Sequence, residues 1–278
     1  MMLVDAHIHI GRENSAWAVR PYQEIFGEYL RRGIGGVRDG GDVQRRGLAA
    51  RKAAEETGMV FRTPVYAFVK KGGYGGFLGA ELDGKDEIIE EFQRFLTVKP
   101  DFMKAICSGI MRYDQYGVMT EGGFTFEELE YIVGLSHDKG LKVMAHCCGT
   151  ENLEKALNAG VDSIEHGYFM TEELLYQMKE QGTVWVPTLV PFANTMNSAE
   201  CPPEQRDELK KYVERQRKTV RKAYEIGVKL AVGSDAGPAY VDHGQALLDE
   251  IDYLTEAGIP RQRVLEMCET NGKYLLGI

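Results

Sequence analysis

Two histidines stand one residue apart in an apolar run, in the stretch Val4-Asp5-Ala6-His7-Ile8-His9-Ile10-Gly11. In a strand, residues i and i+2 share a face, so His7 and His9 look one way and Ile8 and Ile10 the other. Two imidazoles on one face can share a metal ion; the same pair on an edge strand is merely solvated. The other polar residues that close apolar runs bear on this choice. Asp39 ends the run 34–39, and Lys104 sits inside the run 102–106. His146 ends 141–146, His166 ends 163–166, and Asp235 ends 230–235. Four of the six histidines thus fall at such ends, more than scatter would give. Alone, His146 reads as a hydrogen-bonded core residue and Asp235 as a helix cap. Lys104 resists such a reading, because a buried ammonium is costly without a partner. Together His7, His9, Lys104, His146, His166 and Asp235 have the makings of one catalytic or metal-binding mouth.

The elements that must position them alternate. Apolar runs at 3–10, 34–39, 60–69, 102–106, 141–146, 163–166, 184–187 and 230–235 are each followed by a helical pattern. Gly33, Gly58, Gly140, Gly160, Gly182 and Gly227 close helices, and Thr125 with Glu128 forms a capping box. Alternation of this kind implies a parallel sheet. Eight such units in 278 residues imply a single-domain α/β protein, a (β/α)8 TIM barrel over residues 1–278. An open doubly wound sheet is the alternative, disfavoured because no G-x-G-x-x-G follows the first strand and no P-loop occurs. In a barrel the active site lies at the C-terminal strand ends, where these polar residues stand.

The formal net charge of −9 argues against nucleic acid or an anionic membrane as partner. No stretch approaches the ~20 apolar residues of a membrane span, and no basic leader precedes the first strand. A cytoplasmic location is expected. Five cysteines, two of them adjacent, and no C-x-x-C favour free thiols over disulfides or a zinc knuckle.

Five motifs in order, D-A-H-I-H-I-G, D-F-M-K-A-I-C-S-G, V-M-A-H-C-C-G-T, V-D-S-I-E-H-G and V-G-S-D-A-G, resemble those of the amidohydrolase superfamily. The stretch 145–167, the following V-W-V-P-T-L and the final T-N-G-K-Y-L-L-G-I are similar to the branch of imidazolonepropionase-like enzymes and metal-dependent prolidases. The resemblance implies that His7, His9 and Asp235 bind one divalent ion and His146 and His166 a second. It implies that Lys104, carboxylated by carbon dioxide to a carbamate, bridges the two. Zinc is the expected metal, with manganese, iron or cobalt accepted by the same ligands. The implied chemistry is hydrolysis of a small molecule, at an amide or cyclic-amide C–N bond, by metal-activated hydroxide, with Asp235 shuttling the proton. The accessory β-sandwich of many relatives has no counterpart in these residues, and the segment 112–119 is where divergence is expected.

Other residues are candidates for the same mouth. Arg112 could clamp a carboxylate, and Tyr113, Tyr168 and His243 could bind substrate; Arg12, Trp17, Lys70 and Lys71 are further candidates. Asp39 could brace a metal-ligating histidine. Alternation turns Cys147 away from His146 and into packing. The glycine-rich segment 72–84 reads as a mobile lid, and the polar stretch 204–222 as an exposed helix face. Rival functions are a lactonase or ester hydrolase on the same two metals, a mononuclear deaminase-like enzyme, and a non-catalytic binding module. A homo-oligomer is compatible with the sequence.

Overall fold

A computed structural model describes residues 1–278. The chain begins with β1 (Leu3–Ile8), a small antiparallel hairpin of β2 (Arg12–Glu13) and β3 (Ala16–Trp17), α1 (Tyr22–Arg31), β4 (Ile34–Asp39) and α2 (Gly47–Thr57). It continues through β5 (Val60–Arg62), β6 (Ala67–Lys70), β7 (Gly79–Leu82), α3 (Gly84–Thr97), β8 (Met103–Ile106) and α4 (Phe126–His137). Then come β9 (Val143–Cys147), α5 (Thr150–Ala159), β10 (Ser163–His166), α6 (Glu172–Gln181) and β11 (Val184–Val186). The last elements are the helices α7 (Val190–Asn197), α8 (Pro203–Ile226), α9 (Gln245–Glu256) and α10 (Arg261–Leu276).

Parallel strands alternating with helices form two sheets, in the orders β1-β4-β5 and β11-β10-β9-β8-β6-β7. The expected final run, 230–235, forms no continuous strand; isolated bridges stand at Leu230 and, just beyond the run, at Ala236. Its backbone still pairs on both sides. Trp185 N donates to Lys229 O and Ala231 N to Trp185 O at 2.8 and 2.9 Å. On the other flank, Ala6 N donates to Val232 O at 2.9 Å and Asp235 N to His7 O at 2.7 Å. The run expected at 60–69 is split between the two sheets. Pro64 has no N–H to give to a ladder, and Val65 turns into the left-handed region at φ 70°. The segment 72–84 is not a free loop, because β7 pairs along the whole of β6. Gly79 permits this, since a Cβ there would lie 1.8 Å from the Ala67 carbonyl oxygen.

The expected helices form, and α7 (Val190–Asn197) is an additional one that the sequence patterns do not indicate. The Thr125–Glu128 capping box opens α4, and left-handed Gly58 and Gly182 close α2 and α6. Helix α8 is not polar all round. Leu209, Tyr212, Val213, Gln216, Val220 and Ala223 recur at helical spacing and are buried. The main core of 55 buried residues lies between strands and helices. A smaller cluster of Met111, Cys148, Tyr168, Phe192, Tyr212 and neighbours sits apart from it.

One buried polar network crosses from sheet to sheet. Arg38 of β4 donates from Nε to Ala6 O at 2.7 Å, from Nη1 to Ser163 Oγ at 3.1 Å, and from Nη2 to Glu165 Oε1 at 2.6 Å. Arg38 is 3% exposed and Glu165 fully buried, so this pair is shielded from water.

Candidate metal centre

The strand ends converge. His7, His9, Lys104, His146, His166 and Asp235 all line one cavity of about 210 Å³. Asp235 Oδ1 stands 3.4 Å from His7 Nε2 and 3.2 Å from His9 Nε2. The potential ligand atoms of these three residues lie within 4.8 Å of one another. The His166 ring is centred 5.1 Å from that of His7 and 4.6 Å from that of His146. Lys104 is 1% exposed, and its Nζ has no hydrogen-bond partner.

Each of three imidazoles is fixed from behind. Nδ1 of His7 meets Glu165 Oε2 at 2.9 Å, and Nδ1 of His166 meets Thr188 Oγ1 at 2.7 Å. Nε2 of His146 meets the Gly109 carbonyl at 3.1 Å. At His7 and His146 the partner oxygen can only accept, which selects the tautomer that offers the other nitrogen's lone pair. Nε2 of His7 and Nδ1 of His9 are buried and without partners. The His9 ring packs so closely on Gly40 that a Cβ there would lie 2.4 Å from its Cε1. Asp39 braces the backbone instead of a ring, accepting from Ile10 N at 3.0 Å and Thr63 Oγ1 at 2.7 Å. Asp5 ties β1 to the segment before Asp235, accepting from Ser234 N at 2.8 Å and Ser234 Oγ at 2.6 Å.

Electrostatics follow from burial and neighbours. Burial lowers His7 to about 4 and His146 to about 3, so both are neutral near pH 7, the form that can ligate a metal. Burial also lowers the Lys104 ammonium to about 8, against the pull of Glu165. Asp235 is raised by burial but held below the usual carboxylate range by His7, His9 and His166. Glu165 is likewise raised by burial and more than offset by Arg38 and His7. Converging neutral imidazoles, an ionised carboxylate and an orphaned amine suit divalent cations. The residues fit a metal centre.

Of the candidate substrate residues, Tyr113 and Tyr168 line the cavity. Tyr168 is buried and its hydroxyl has no partner. Arg112 lies outside, exposed, its fork filled by Asp114 through bonds of 2.9 and 2.7 Å. His243 also lies outside the cavity. Its Nε2 meets Arg12 O at 2.7 Å and its Nδ1 meets Tyr29 Oη at 3.0 Å. Arg12 does line the cavity, its guanidinium 4.9 Å from the Trp17 ring centre and 5.3 Å from that of Phe77. Cys147 packs in the core. Sequence reasoning missed Glu165 and Thr188. Strict alternation sets Glu165 opposite His166, but His166 is left-handed at φ 67°, and alternation fails at that residue.

A mycobacterial protein of no assigned function, from Mycobacterium tuberculosis, is 30% identical over 152 residues. That match takes in 54% of this chain and only 40% of the relative's length. The ochratoxinase of Aspergillus niger is 27% identical over 212 residues, 72% of this chain and 43% of that protein. Its crystal structure superposes with a TM-score of 0.81 at 21% identity, covering 98% of this chain and 71% of that one. A crystal structure of a Xaa-Pro dipeptidase with methionine in its active site gives a TM-score of 0.80 at 26% identity, covering 100% of this chain and 75% of that one. The family description that matches residues 3–278 is that of the amidohydrolases, and to the amidohydrolase family this chain belongs.

Proposed function

We propose that the protein is a metal-dependent hydrolase that cleaves amide C–N bonds in small molecules, on a single closed (β/α)8 barrel. The backbone bonds of 229–236 to both β11 and β1 support closure at that seam. The observation that carries the function is the convergence of ring nitrogens, Asp235 and the unpartnered Lys104 Nζ in one cavity. A dipeptidase among the similar structures supports an amide over an ester.

In this reading His7, His9 and Asp235 would hold one ion and His146 and His166 a second, and Lys104, as a carbamate, would supply further oxygen ligands. A pair of divalent ions held by these residues would lower the pKa of a bound water and polarise a carbonyl. The chain's own residues do the rest. Asp235, kept ionised, accepts the proton that the attacking water loses and passes it to the departing nitrogen. Water thereby adds to the acyl carbon, the C–N bond breaks, and the amine leaves with the proton. Tyr113, Tyr168 and Phe192 offer an apolar wall to the substrate, and Arg12 a cation to an acidic group on it.

Elemental analysis of protein purified with bicarbonate and without chelators tests this reading, beside a screen of dipeptides, N-acyl amino acids, cyclic amides and lactones. About two divalent ions per chain and turnover of amides are expected. One ion per chain, indifferent to Lys104→Ala, together with deaminase activity, would replace the proposal with the mononuclear reading.

A further inference from the structure

Helix α8 buries one polar side chain on its inner face. Gln216 is 1% exposed, one turn from Val213 and Val220. Its Nε2 donates to the His166 carbonyl at 2.6 Å, and the indole Nε1 of Trp185 donates to the same oxygen at 3.0 Å. That carbonyl belongs to a tight left-handed turn, with φ 67° at His166 and 65° at Gly167. A side-chain-bearing residue holds such a conformation at a cost, and only where its surroundings over-determine it. The indole is pressed onto the turn, since a Cβ on Gly167 would lie 2.4 Å from Trp185 Nε1. Thr188 then fixes the ring through Nδ1. Backbone and imidazole of His166 are thus tied separately, from α8, from β11 and from the segment that follows β11.

We propose that Gln216 is a positioning residue for His166. From an outer helix it holds the strained carbonyl, and so keeps the imidazole aimed into the cavity. This rests on the reading of His166 as a metal ligand. Trp185 shares the task through the second donor, so losing either one loosens the turn without leaving the carbonyl bare.

Titration of the metal-free full chain with cobalt(II), followed by visible absorption, tests it. Gln216→Leu removes the donor. Gln216→Glu keeps the shape and removes the donor when ionised. Trp185→Phe keeps a ring in place and removes the other donor. Expected are cobalt affinity weakened about tenfold or more and a shifted absorption band in folded Gln216→Leu, with smaller changes of the same kind in Trp185→Phe. With an amide substrate, kcat should fall more than KM rises. A lowered melting temperature with unchanged cobalt affinity and spectrum would reduce Gln216 to a structural residue and overturn the inference. If Gln216→Leu does not fold, the same affinities and spectra are compared in Gln216→Glu and Trp185→Phe. Wild-type protein that binds no cobalt overturns the metal reading and this inference together. Wild-type binding matched by the variants overturns this inference alone.

Discussion

At the strand ends, His7, His146 and His166 are each held by one directed bond from behind, and Glu165 and Arg38 continue that chain of bonds between the sheets. Across the cavity, Met111, Tyr113, Tyr168 and Phe192 come from connecting segments and a short helix, and they are held largely by rings lying against rings. Tyr113 and Phe192 are centred 4.4 Å apart, Tyr168 and Phe192 4.6 Å, and Phe192 and Tyr212 5.0 Å. The floor is specified by hydrogen-bond direction, the wall by shape and area. A directed bond fixes an atom to within a few tenths of an ångström, which metal ligation needs. Packing fixes a surface, which is enough to choose a substrate. Substitutions in the floor should therefore act on metal and chemistry, and those in the wall on KM and substrate choice.

The largest effect is expected at Lys104. Lys104→Ala should lower kcat/KM by about 10³-fold or more and reduce the bound metal, read by kinetics and elemental analysis. Lys104→Met should do the same to activity, yet leave the metal-free protein as stable as wild type or more so. It removes a buried amine without a partner and keeps the volume. A clear loss of thermal stability in Lys104→Met would show that the floor is built for folding rather than for metal. Next is Glu165→Gln, which strands the Arg38 guanidinium and unties His7. The expected cost is about 3–5 kcal/mol in urea unfolding, with metal affinity down about 10–100-fold. An unshifted midpoint would mean that the link between sheets adds nothing to stability.

The same difference decides how much the sequence reveals. Polar residues closing apolar runs stand out against a simple period, so His7, His9, Lys104, His146, His166 and Asp235 can be found by position alone. The alternation of strand and helix can be found in the same way. What holds them cannot. Arg38 reads as one polar residue in a short glycine-rich strand, and its partner Glu165 lies 127 residues away. Gln216 is hidden by the charged residues around it on α8. The wall is harder still. Met111, Tyr168 and Phe192 meet only through the path of the connections, and connections follow no period. Arg112 has the right charge for a carboxylate, but its neighbour Asp114 answers that charge at a separation of two residues.

One buried acid anchors the wall, and it carries a pH signal. Glu250 of α9 accepts from Val190 N at 2.9 Å, at the start of α7, two residues before Phe192. Burial pushes its carboxyl from 4.5 up to about 8. The folded state therefore keeps this proton after the unfolded chain has released it. The stabilisation is fully present below about pH 4.5 and is lost as pH rises through about 8. Glu250→Gln removes that slope. Relative to wild type it should gain on the order of a few kcal/mol between pH 5 and pH 9, measured by urea unfolding across that range. Parallel curves would show that Glu250 is ionised in the folded protein.

The smallest effect separates floor from wall most directly. The Tyr168 hydroxyl is buried among Tyr113, Phe192 and Tyr212 and bonds to nothing in the chain. A buried hydroxyl without a partner gives no stability and costs desolvation. Tyr168→Phe should therefore leave the melting temperature unchanged or slightly raised and leave metal content at the wild-type level. Its KM for amide substrates should rise several-fold, because a polar atom of the substrate would be the partner that the hydroxyl lacks. A fall in metal content in Tyr168→Phe would place this residue with the floor. The division between directed bonds and packing would then not run along the cavity's two sides.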